Sequence, residues 1–105
     1  MTVKVIKDHD GEGVFPLFKA GANVTLGEAC THYVGWHACA IDGHKTYIPK
    51  NYVIDGKLTK DYNPTELIQK TGDILQVKEI VHAWLICSND KMETGWMPAE
   101  KAVSV

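Results

Sequence analysis

The residues best equipped for chemistry sit in the middle of the first half: Cys30, His32, His37, Cys39 and His44. Thiolate and imidazole are both zinc ligands, but structural zinc sites space them as tight Cys or His pairs set apart from one another. Here the order is Cys-x-His, four residues, then His-x-Cys, and no CxxC occurs. That spacing does not predict a metal site. The same side chains offer a second chemistry, attack by Cys30 with His32 or His44 as base. Such a pair must be oriented by a third group in a cleft, and nearness in sequence supplies neither. Phosphate loops, dinucleotide fingerprints and Ser-His-Asp orders are missing. The expectation is a protein that is not an enzyme and carries no cofactor.

The elements that hold these residues are written twice. Thr46-Tyr47-Ile48-Pro49-Lys50-Asn51-Tyr52-Val53 recurs as Gly95-Trp96-Met97-Pro98-Ala99-Glu100-Lys101-Ala102-Val103. Trp36-His37-Ala38-Cys39 returns as Trp84-Leu85-Ile86-Cys87, Phe18-Lys19-Ala20-Gly21 lies opposite Gln69-Lys70-Thr71-Gly72, and Lys7-Asp8-His9 lies opposite Lys60-Asp61-Tyr62. A unit repeated in this way is read as one supersecondary motif used twice.

This order of landmarks resembles the Src homology 3 (SH3) domain: an "ALYDY"-like strand, an acidic loop, a "KKGD"-like turn, a tryptophan strand and a "GWxPxNYV"-like close. The resemblance implies an all-β fold of two tandem SH3-like small barrels packed against each other, residues 1–55 and 56–105. In that family a groove of tyrosines, tryptophan and proline docks proline-rich peptides in the polyproline II form. Carried over position by position, the first unit has Trp36, Pro49 and Tyr52, with Lys7 and His9 at the tyrosine positions of the first strand. The second has Tyr62, Trp84 and Pro98, with Lys60 and Lys101 where tyrosines would stand. Asp10 and Glu12 in the first unit and Glu66 in the second are the acids expected to meet a basic ligand residue.

Composition narrows the partners. The chain has 105 residues, 45% hydrophobic and 23% charged, as in globular proteins. Net charge is −2 and every Lys+Arg position is a lysine, so bidentate arginine contacts to phosphate or guanine are unavailable and nucleic acid is not expected. No apolar run approaches the roughly 20 residues that span a bilayer, and Met1-Thr2-Val3-Lys4 has no signal-peptide core. Membrane association is not expected, and the expected location is the cytoplasm. Three cysteines are an odd number, read as free thiols. Cys39 and Cys87, repeat partners, suit core positions.

Alternation predicts a strand over Thr2 to Lys7. Asp8 to Gly13 is rich in turn formers and predicts a loop. Gly21 is placed where a positive φ is needed. Asp42-Gly43 and Asp55-Gly56 predict tight hairpins, the second leading straight from one repeat into the next. A single 3₁₀ turn is expected after Pro49 and after Pro98. Expected core residues are Val5, Phe18, Val24, Leu26, Ala38, Cys39 and Ile48, then Leu67, Ile74, Val77, Ile86, Cys87 and Met97. Gln69 stands where Phe18 stands in the first repeat, so it is expected to face solvent or the other unit.

The functional expectation is a non-catalytic binding module that recognises a peptide segment or partner protein, with a proline-rich segment implied by the resemblance, through the aromatic surface around Trp36 and Tyr52. A bacterial cell-wall (peptidoglycan) targeting module is the alternative, against which the free cysteines and missing signal count. A structural or regulatory subunit with its aromatics buried is a third. Exposure of Trp36 and Trp84 separates the last from the other two.

Overall fold

The computed structural model describes residues 1–11 and 13–105. Its strands are β1 (Thr2–Val5), β2 (Val24–Ala29), β3 (Trp36–Ile41), β4 (His44–Pro49), β5 (Val53–Ile54), β6 (Lys57–Leu58), β7 (Ile74–Val81), β8 (Trp84–Ser88), β9 (Thr94–Pro98) and β10 (Ala102–Ser104). Short 3₁₀ helices follow both prolines, at Lys50–Tyr52 and Ala99–Lys101. The all-β expectation therefore holds. The strands form antiparallel sheets of five, three and two, none of them closed. No helix among the described residues is long and apolar enough to cross a membrane.

The chain divides into two compact units, but not at residue 55. One, outer in sequence only, is Met1–Val14 with Thr65–Val105, and the other, inner in sequence only, is Phe15–Pro64. The physical reason is strand pairing. In the outer unit β1 lies in the middle of a sheet ordered β10-β1-β7-β8-β9, with Lys4 opposite both Val103 and Ile74. The first strand of the sequence is thus built into a sheet with β7 to β10. Val3 and Val5 point inward from it onto Leu67, Leu75, Leu85, Cys87 and Met97, the core of this unit. Each such side chain contributes roughly 1.5–3 kcal/mol on burial. The edge strand β9 is covered by residues 65–67, through a parallel bridge between Glu66 and Trp96. Gly95 makes that possible, because a Cβ there would lie 2.9 Å from the carbonyl oxygen of Thr65.

The inner unit has the sheet β2-β3-β4 and the hairpin β5-β6. Asp42-Gly43 and Asp55-Gly56 turn both hairpins with positive φ at all four residues, as two-residue turns of this hand require. After β5 the chain doubles back, so that Leu58 bonds Ala22 and Gly21, and Phe18 bridges Tyr62. The segment Lys60-Asp61-Tyr62 is therefore tied to the strands that precede it in sequence. Residues 60–62 thus lie in the Phe15–Pro64 unit, while residues 7–9, matched to them in sequence, lie in the other.

Most of the expected core is inside, and five positions differ. Leu26 and Ile74 are 39% and 49% exposed. Leu26 is on β2, an edge strand of its sheet. At the start of β7 it is Leu75, not Ile74, that faces inward. Ala38, Val77 and Ile86 are only half-buried, Val77 packing against the core of its unit. Gln69 is buried, contrary to the expectation that it would face solvent or the other unit, and its polar ends are satisfied within its own unit.

Candidate functional site

This pairing regroups the expected site residues. In the outer unit His9, Glu66, Trp84 and Pro98 come together. In the inner unit Trp36, Pro49, Tyr52 and Tyr62 do. Glu12 lies outside the described residues, and Asp10 is exposed.

In the outer unit, His9 is held by a two-way backbone bridge to Gln69. Its Nε2 lies 2.7 Å from Oε1 of Glu66 and its Nδ1 lies 2.9 Å from Nζ of Lys101. An ammonium group can only donate. Nδ1 of His9 is therefore the acceptor, and the ring proton sits on Nε2, donated to the Glu66 carboxylate. The imidazole bridges Lys101 and Glu66, with the side chains of His9 and Glu66 only 9% and 13% exposed. Its ring meets Trp84 edge to face at 5.9 Å. Trp84 pairs in register with Pro98, and its ring is partly exposed, while Trp96 is buried. Beside this, Gln69 donates to Asp73 at 2.7 Å and accepts from Asn89 at 3.0 Å. Asn89 in turn caps its own loop by accepting from the backbone of Lys91 and Glu93. Charge at the loop ends is fixed in the same way: the backbone N–H and then the hydroxyl of Thr71 hold the Asp8 carboxyl below its ordinary range, with Lys70 adding to the effect.

In the inner unit, Trp36 and Pro49 are register partners on β3 and β4. Tyr52 and Tyr62 meet edge to face at 5.6 Å, and the Tyr62 hydroxyl donates to the carbonyl of Tyr47 at 2.6 Å. All four expected residues are buried, Trp36 at 5% exposure. The surface expected around Trp36 and Tyr52 is therefore not an open one. Asp61, next to Tyr62, accepts from the backbone N–H of Ala20, which is the main reason its carboxyl lies below the usual range; Lys19 contributes less.

The cysteine and histidine cluster disperses. Cys39 is buried in β3, and burial pushes its thiol up to about 11, as it does for Cys87. Cys30 is half-buried, its sulfur accepting from the backbone of Tyr33. His32 stacks edge to face on Tyr33, His37 faces the carbonyl of Gly27, and His44 sits against Phe15 and Phe18. Among the described residues no three potential metal ligands converge.

Sequence reasoning named His9, Glu66 and Trp84 but assigned them to different units, and it took Lys101 only as a lost tyrosine. The signal for the polar junction was Gln69, a polar residue opposite the apolar Phe18. No protein-family model, curated protein or solved structure matches the chain.

Proposed function

We propose that the chain is a non-catalytic binding module of SH3-like character, and that it recognises a peptide segment or partner protein through the face around Trp84. The partly exposed ring of Trp84, beside His9, Glu66 and Lys101, carries this reading. Flat aromatic surface next to a carboxylate suits a ligand with an extended apolar backbone and a basic side chain. The element order supports the SH3-like description: a first strand, three antiparallel strands, a 3₁₀ turn after proline and a short closing strand, found in the outer unit as β1, β7, β8, β9 and β10. Three free cysteines favour a cytoplasmic location.

A nitrogen-15 NMR titration with proline-rich peptides, some carrying lysine or arginine, tests it. Saturable shifts centred on the Trp84 indole, abolished by Trp84→Ala with the fold retained, support the reading. Shifts that survive Trp84→Ala, or no shifts at all, overturn it. A structural or regulatory role is the second reading, and the burial of Trp36, Pro49, Tyr52 and Tyr62 favours it for the inner unit. Trp36→Ala is then expected to cost roughly 3–5 kcal/mol, as a core truncation does.

A further inference from the structure

The ammonium of Lys60 lies 4.7 Å from the centroid of the Tyr52 ring. The backbone that presents it is held, because each neighbour is anchored. Thr59 gives both its N–H and its hydroxyl to the carbonyl of Tyr52, at 2.9 and 3.1 Å. Asp61 is held by Ala20 and Lys19. Tyr62 is bridged to Phe18 and bonded to Tyr47. The residue between these anchors has its cation over an aromatic face, and among the described residues no carboxylate pairs with it. A ring face is electron-rich and selects cations over neutral groups of the same size. Tyr52, with Tyr62 edge-on beside it, is only 4% exposed while Lys60 is in place, and the one ring face that the Lys60 ammonium occupies has the chemistry of an ammonium receptor.

We propose that the Tyr52 face is a cation-binding site that the chain fills with its own Lys60, and that an ammonium-bearing side chain of a partner competes for it. Lys60 is exposed, and a lysine side chain regains considerable rotamer freedom when released. The contact is autoinhibitory: Lys60 must swing away before a partner cation docks. The site is in a different unit from Trp84, so each reading stands or falls alone.

The test uses the full chain and tetramethylammonium chloride as probe, against sodium chloride of equal ionic strength and tert-butanol as the neutral control. Ring protons of Tyr52 and Tyr62 report binding by NMR. Lys60→Ala removes the occupant without touching the anchors, and Lys60→Gln keeps its length without its charge, a second variant should alanine perturb the loop. Both variants are expected to bind tetramethylammonium at least about threefold more tightly than the parent, with tert-butanol giving no saturable shift. Equal affinity in parent and variants, no binding in any, or an equal response to tert-butanol overturns the proposal.

Discussion

Nζ of Lys101 reaches Nδ1 of His9 across 92 residues of sequence, at 2.9 Å. With Glu66 on the far side of the ring, this contact ties the first segment of the chain to the last and fixes one histidine tautomer. Long-range proton–nitrogen NMR is expected to find His9 protonated on Nε2. Glu66→Ala leaves that N–H without its acceptor in a nearly buried setting and is expected to cost roughly 1–3 kcal/mol in urea denaturation. Lys101→Met, which keeps the stem, costs less.

The thiols are expected to differ sharply in reactivity. Cys39 and Cys87, raised from 9.0 to about 11 by burial, stay unmodified by iodoacetamide in the native protein, and Cys30 alone reacts; mass spectrometry reads the site. The sign of the pH effect follows. A thiol harder to ionise when folded contributes its stability fully below pH 9.0, and that contribution is lost as pH rises toward about 11. Denaturation midpoints should therefore fall over that interval, and less so in Cys87→Ser after allowance for its lower starting stability.

Two small residues in the outer unit should respond in opposite senses to substitution. Ala83, at φ 70 in the turn between β7 and β8, holds a conformation that suits glycine, so Ala83→Gly is expected to stabilise by about 0.5–1 kcal/mol. Gly95→Ala drives a methyl against the backbone and side chain of residues 65–67 and is expected to cost about 1–3 kcal/mol. Thermal melts of both variants check this.

Truncation discriminates the unit boundaries. A fragment of residues 15–64 keeps β2 to β6 with the Phe18–Tyr62 bridge and is expected to give a dispersed amide spectrum. A fragment of residues 1–55 loses Leu58 and Tyr62 and retains a β1 without its partners β7 and β10, and is expected to be disordered.

The local grammar of the chain was readable. Asp42-Gly43 marked its hairpin, Pro49 and Pro98 marked their 3₁₀ turns, and the cysteines at matching repeat positions marked core. Pairing was not readable, because the order of landmarks along the sequence is the same whichever segments β1 and residues 60–62 pair with. The same ambiguity sent His9 to Trp36 and Tyr62 to Trp84. Ile74 and Leu75 could not be told apart because adjacent apolar residues lack the period of two that assigns faces, and Leu26 was misplaced because edge position is a property of the sheet. Lys60 over Tyr52 left no trace in spacing at all.

Because one unit is inserted within the sequence of the other, the fold is expected to assemble in an order. The bridge between His9 and Gln69 closes a loop of roughly 60 residues in an unfolded chain. Once residues 15–64 are compact, with Phe18 beside Tyr62, the flexible part of that loop shrinks to roughly 16 residues, which lowers the closure entropy by about 1 kcal/mol. On a ribosome the segment 15–64 also emerges before β7 to β10, so β1 is expected to stay unpaired until β7 and β10 follow.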